Sequence, residues 1–265
     1  MNVLHVAPIN TNIVNGFRFS VPGLISAQNK IGIKAALINV EKPELFSKEK
    51  LEKKDFQIFK GKRIMVNKIE EPYNNPDLVV FHGVYITEYL NIYKQLIKKN
   101  IPYVIVPRVS LTKGAQSQKK IKKIIANILF FNKFIKNASA IHYLTKNEKK
   151  LSSNIKQNSF VVGNGIDLPK IKSTNVNNKV KKLLYIGRYD VNHKGLDVLL
   201  LAINSIKDIL IDNKVQINFY GSDFKGGKSI LQSFIDNHKL GNIVKVNEAV
   251  FGAEKEKILR ETDVF

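Results

Sequence analysis

The chain has 265 residues, 44% hydrophobic and 25% charged, with a formal net charge of +21 and no cysteine. That length accommodates one large domain or two ordinary ones, and the missing thiols exclude a disulfide framework, a thiolate metal site and a cysteine nucleophile. Residues 1–170 carry +17 of the charge, which points to a polyanionic partner (an acidic membrane surface, nucleic acid or phosphorylated ligands) or merely to a Lys- and Asn-rich composition.

The N-terminal VLHVAPI reads as a strand, not a secretion signal, because no basic segment precedes it. Apolar runs AALINV, LVVFHGV, YVIVP and AIHYLT follow, with helical stretches such as SVPGLISAQNKIG and ITEYLNIYKQLIKKN between them. Residues 167–180 lose apolar periodicity and read as a linker. Alternation then resumes: KLLYIG, a helix over GLDVLLLAINSIKDIL, VQINFYG, a helix over KSILQSFIDNHKL, IVKVNEAV, and a helix over EKEKILRET. The closing DVF resembles the start of another strand. This alternation predicts an α/β fold of two Rossmann-like, doubly wound parallel sheets, residues 1–170 and 171–265, the second incomplete. No stretch reaches the roughly 18 apolar residues of a spanning helix, so a soluble protein is expected.

KKIKKIIANILFFNKFIKN (119–137) places Ile121, Ile124, Ile125, Ile128 and Leu129 at helical spacing, flanked by Lys119, Lys120, Lys122 and Lys123. Either that stripe packs on the first sheet, or the helix lies on an anionic membrane. His82 closes the strand LVVF at a carboxyl end, where acceptors bind, or serves as a packed residue. His5 and His142 lie within strands and read as structural. FYGSDFKGGKS fails as a P-loop because Ser222 stands where the first glycine is required. No His or carboxylate cluster has metal-ligand spacing, so no metal is expected.

In LLYIGRYDVNHKGLDVLLLAI (183–203) a strand ends at Gly187 and a helix opens near Gly195. Arg188 and Lys194 lie between them, at the carboxyl end of a parallel strand. A helix N-terminus offers free N–H groups and partial positive charge, and two cations added to it suit a diphosphate. The bland alternative is a solvated loop whose cations face water.

GRYDVNHKG resembles the G-R-(x)5-K-G signature of GT-B glycosyltransferases of the family 4 type. VVGNGIDLP (161–169) is similar to that family's P-N-G-[VI]-D segment, with Gly163 replacing the proline. FYGSD, VNEAVFGAEKEKILRETDVF, the N-terminal MNVLHVAPI with Asn15-Gly16-Phe17, and DLVVFHG (77–83) resemble further family segments in the same order. The resemblance implies a retaining transferase moving a sugar from a nucleoside diphosphate donor to a glycan or lipid-linked acceptor, as in surface polysaccharide biosynthesis. It implies that Arg188, Lys194 and Gly16 hold the diphosphate, that Gly221 and Val250 lie on the nucleoside side, and that His82 and Arg108 lie on the acceptor side. It assigns no catalytic residue and no cofactor or metal beyond the nucleotide-sugar itself. Cytoplasmic placement is expected, peripheral to the membrane.

Two departures stand out. Arg108 occupies the position of the family's P-H-G histidine, and a guanidinium does not exchange protons near neutrality. The sequence also ends at Phe265, before the paired glutamates that grip the donor. A truncated chain with weak or no transferase activity is therefore expected, and the second reading is a non-catalytic, membrane-docked module that binds partners. Nucleic-acid binding ranks last for want of a recognition motif, and a GT-B epimerase does not account for the order of motifs.

Overall fold

The computed structural model describes residues 1–265 except 14, 62, 119, 153, 154, 167 and 169–179. Two compact units divide the chain, Met1–Asp167 and Leu168–Phe265. Apart from Leu168 and Val180, the linker expected over 167–180 lies outside the described residues.

Unit 1 holds a seven-stranded, wholly parallel sheet, β1 (Asn2–Ala7), β2 (Lys34–Asn39), β3 (Ile58–Lys60), β4 (Leu78–His82), β5 (Tyr103–Val106), β6 (Ala140–Tyr143) and β7 (Ser159–Val161), in the order β3-β2-β1-β4-β5-β6-β7. The chain reverses direction across the sheet between β1 and β4, the topological switch point where open α/β sheets place ligands. Strands β1 and β2 are buried on both faces, as parallel sheets require. Period-two alternation sorts their side chains. Leu4, Val6, Val79 and Phe81 enter one core with α2 (Tyr89–Lys99), whereas Val3, Ala7 and Val80 enter the other with α1 (Gly16–Lys30). By the same parity His5 and His82 fall on the α1 face.

Three boundaries differ from the sequence reading. Helix α1 begins at Gly16, not Ser20, because the Asn15 side chain accepts the Arg18 N–H and caps it there. Strands β3 and β7 are only three residues long, too short for a periodicity signal. The basic stretch after β5 forms α3 (Lys113–Ser117), α4 (Lys120–Ala126), a π-helical turn at Asn127–Phe131 and α5 (Asn132–Lys136). Helix α6 (Lys146–Leu151) precedes β7.

Unit 2 has a three-stranded parallel sheet in the order β10 (Val244–Asn247), β9 (Val215–Tyr220), β8 (Lys181–Ile186). Its helices are α7 (Val191–Lys194), α8 (Leu196–Ser205), α9 (Lys207–Asp212), α10 (Gly227–Asn237) and α11 (Gly252–Arg260). The single helix expected over 195–210 is broken at Ile206, whose backbone leaves the α region. Val264 forms a parallel bridge to Leu183 on the free side of β8, accepting the Leu184 N–H at 2.9 Å. That bridge puts a second switch point beside β8.

Candidate functional site

The first cluster grows from the switch point of unit 1. His5 and His82, brought to one face by strand parity, are both buried, with His5 Nδ1 2.9 Å from His82 Nε2. His5 Nε2 lies 2.7 Å from Gln28 Oε1 on α1, and an Arg108 Nη lies 3.4 Å from His82 Nδ1. A guanidinium only donates, so His82 Nδ1 accepts. His82 Nε2–H then donates to His5 Nδ1, and His5 Nε2–H donates to Gln28. Every proton in the chain Arg108–His82–His5–Gln28 has one assigned direction, and both imidazoles are neutral. Burial sets that charge state: it lowers the His5 pKa to about 4 against the opposing Gln28 hydrogen bond, with Arg108 adding to the fall. His82 is lowered well below its ordinary value by burial first, then by His5, Arg108 and His142.

Arg108 is held on three sides. Its guanidinium lies 5.1 Å from the Phe17 ring centroid, His82 takes one N–H, and the N–H of the next residue, Val109, is held by a buried carboxylate. Arg108 and Val109 have φ of 51° and 64°. A β-branched residue in the left-handed region is strained, and such strain persists only where surroundings enforce it. Glu148, buried on α6, does so. Its Oε1 accepts the Val109 N–H at 2.6 Å and its Oε2 accepts the Leu144 N–H at 2.9 Å. Arg108 Nε is buried with no hydrogen-bond partner among the described residues. The Tyr89 hydroxyl lies 3.1 Å from the Val6 carbonyl and 2.5 Å from that of His82, tying the two strand ends together.

The second cluster lies after β8. Arg188 is not the bare cation its sequence context suggests. Its Nη2 is 2.7 Å from Asp190 Oδ2, and its guanidinium lies 4.0 Å from the Phe224 ring centroid. Asp190 is buried. Burial alone raises its carboxyl, but hydrogen bonds from His193 and Arg188 outweigh that and hold it below the ordinary value. Lys194 is the last residue of the one-turn helix α7, not part of an open loop, because Asp190 caps that turn through the His193 N–H. It is exposed and has no ion pair among the described residues. Gly195, at φ 62°, then opens α8 with no side-chain cap, leaving first-turn N–H groups open beside Lys194.

Gly221 and Gly227 are required by close approach. A Cβ at Gly221 would overlap the Gly187 carbonyl oxygen, and one at Gly227 the Tyr189 carbonyl oxygen. These contacts clamp the Arg188 loop against the loop after β9. The buried Tyr189 hydroxyl, 2.9 Å from the Phe219 carbonyl and 2.6 Å from that of Asn247, completes the clamp. Val250 is buried just before α11. Gly16 is the first residue of α1 in unit 1, beside Phe17 of the Arg108 cluster.

The basic helical stretch does not pack its apolar stripe on the sheet. Ile121, Ile124, Ile125, Ile128, Leu129 and Phe130 are 47–75% exposed, while Phe131, Phe134 and Ile135 are buried. The π-helical turn explains the exchange, since its extra residue rotates the face of α4 by about 100° relative to that of α5. Lys120 and Lys122 are exposed, whereas Lys123 is half-buried, donating to the Ala115 carbonyl and standing 5.4 Å from the Tyr85 ring centroid. Lys119 lies outside the described residues. No helix among the described residues is long and apolar enough to cross a membrane, and none of their His, Asp or Glu side chains form a metal-sized group.

Sequence reading did not foresee Gln28, Glu148, Asp190 or the stacked rings Phe17 and Phe224. Of these, only Asp190 carried a local signal, a carboxylate two residues after Arg188.

Solved structures match over 98–99% of the chain. TarM matches with a TM-score of 0.71 at 12% identity, covering 99% of this chain and 79% of TarM. The fold is GT-B-like. The apo lipopolysaccharide outer core galactosyltransferase WaaB matches at 0.63 and 12% identity, covering 98% of this chain and 71% of WaaB. A Staphylococcus aureus TarM variant in complex with fondaparinux, α-GlcNAc-glycerol and UDP matches at 0.64 and 11% identity, covering 99% and 80%. No protein-family model and no curated protein matches the sequence.

Proposed function

We propose that the chain is built as a nucleotide-sugar-dependent glycosyltransferase acting on a glycan or lipid-linked acceptor. One observation carries the reading. Arg188, Lys194 and the uncapped start of α8 stand together at the carboxyl end of β8, beside the switch point marked by Val264. A diphosphate reaching this loop meets Lys194, takes up open α8 N–H groups and draws Arg188 from Asp190. Phe224 keeps the guanidinium plane oriented during that exchange. Stabilising the departing diphosphate is the main service such a seat renders to sugar transfer. Gly221 and Gly227 keep the seat in place by holding two loops in backbone contact, and Val250 supports the nucleoside side. The superposed TarM variant was crystallised with UDP, which supports this class of ligand.

The Arg108 cluster supports an acceptor side without a general base. Both nitrogens of His82 are committed, and Arg108 keeps its proton. Proton removal from the acceptor then falls to the leaving diphosphate, the retaining course. Gly16, at the N-terminal edge of α1 next to Phe17, belongs by its place to the Arg108 cluster. The exposed apolar face of α4, with Lys120 and Lys122, suits contact with an anionic membrane surface.

Calorimetric titration with uridine and guanosine diphosphates tests the donor side. Saturable uptake of one of them is expected, and a flat response to both overturns the reading.

A further inference from the structure

The helices after β5, with Tyr85, line an open cavity of about 430 Å³, within the roughly 300–1,000 Å³ range of small-molecule sites. It is separate from the switch-point cluster. Leu111, Ile124, Ile135, Leu151 and Ile155 supply apolar walls, and Lys113, Lys120 and Lys123 supply charge, with no Asp or Glu among the lining residues. One further lining atom, Asn127 Oδ1, is buried and has no hydrogen-bond partner among the described residues, whereas the Ser152 hydroxyl faces that of Tyr143. Buried polar groups in folded chains are almost always paired, so Asn127 Oδ1 marks where a ligand's polar atom completes the site. Asn127 opens the π-helical turn, an irregularity common at functional positions.

The three kinds of wall specify an amphiphile. An oligosaccharide would leave five apolar side chains unmatched, and a pure hydrocarbon would leave Asn127 and the Lys113 and Lys120 ammonium groups unmatched. We infer that this cavity binds an anionic single-chain lipid phosphate, its chain against the apolar walls and its phosphate on the lysines. Asn127 Oδ1 accepts from a phosphate hydroxyl. Lys113 and Lys120, both exposed, receive the head group, while Lys123 is fixed by Ala115 and Tyr85. The inference rests on the acceptor side of the function proposed above and gives that acceptor a class: a sugar carrier with one lipid chain and a phosphate.

The test uses the full chain and dodecyl phosphate below its micelle-forming concentration, followed by calorimetry, with uridine and guanosine diphosphates titrated in parallel. Saturable binding near one per chain is expected, at least tenfold tighter than for decanol or inorganic phosphate. Lys113→Gln/Lys120→Gln, at exposed positions, is expected to weaken it at least tenfold. Ile124→Glu, which puts a charge into a half-exposed apolar wall, is expected to abolish it. No saturable binding, equal binding of decanol, binding only to vesicles, or binding unchanged in both variants each overturns the inference. A chain that takes up a nucleoside diphosphate but not dodecyl phosphate overturns this inference alone. The reverse result overturns the donor reading and leaves the cavity assigned.

Discussion

In unit 1 Arg108 is surrounded by neutral or distant partners: an imidazole nitrogen at 3.4 Å, a phenyl ring, and a carboxylate that grips the Val109 N–H and not the guanidinium. In unit 2 Arg188 faces a carboxylate directly at 2.7 Å, and the neighbouring Lys194 stands in solvent. The first cation is locked by a buried hydrogen-bond chain. The second is parked on an exchangeable partner. A locked group suits recognition of a fixed shape, and a parked one suits a ligand whose charge changes between arrival and departure. The same residue type is thus held in two ways, because burial, not identity, decides how firmly its charge is held.

The contrast between the units breaks most sharply at the glycine clamp. Gly221→Ala or Gly227→Ala drives a methyl group into a backbone carbonyl of the Arg188 loop, which costs about 3 kcal/mol or more when neither chain can yield. Hydrogen exchange is expected to show β8 and β9 amides losing protection while β1 and β4 amides keep theirs. Equal protection of β8 and β9 in variant and parent would show that the loops are not clamped.

The next effect belongs to unit 1. His5 titrates at 6.5 when unfolded and about 4 when folded. A depressed imidazole leaves stability intact above pH 6.5 and removes it as pH falls toward 4, because only the unfolded chain takes up the proton. At about 1.4 kcal/mol per pKa unit, His5 alone accounts for roughly 3 kcal/mol. Protection of β1 and β4 amides is expected to fall across that window, and His5→Phe to flatten the fall. A pH-independent profile in the parent chain would contradict neutral, buried imidazoles.

Glu148→Gln is smaller. An amide has one acceptor oxygen and turns an N–H toward the other backbone donor, so one of the Val109 and Leu144 bonds is lost at about 1–3 kcal/mol. Unit 1 melting is expected to fall, with the Arg108 side-chain N–H signals broadened in nuclear magnetic resonance spectra. Unchanged signals would show that the left-handed turn needs no clamp. The smallest effect is at the surface. Lys120→Gln and Lys122→Gln should each weaken binding to anionic vesicles about fivefold, from roughly 1 kcal/mol per lysine. Vesicle binding indifferent to both would detach the helix from any membrane role.

The strands, helices and parallel layering were readable because VLHVA, LVVFH and LLYI are apolar on both faces and separated by helical periods. That Arg188 and Lys194 follow the end of β8 was readable because their spacing is local. What sequence could not give was long-range or register-dependent. His5 meets His82 only because β1 pairs with β4, 77 residues apart in sequence. Glu148 reaches Val109 from a helix several elements later. The outward face of α4 depends on a π-helical turn that inserts one residue without any change in the apolar pattern of IIANILFF. Asp190, two residues from Arg188, was visible but mute, since nothing in RYD shows whether the carboxylate meets the guanidinium or water.

The central claim is that the loop from Arg188 to Lys194 seats a diphosphate. Titrating the chain with uridine and guanosine diphosphates, against the same titration of Arg188→Ala/Lys194→Ala, measures it most directly. The account predicts saturable uptake of one nucleotide by the parent and at least a hundredfold loss in the double variant, with unit 1 exchange unaltered. Equal uptake by both proteins would contradict it.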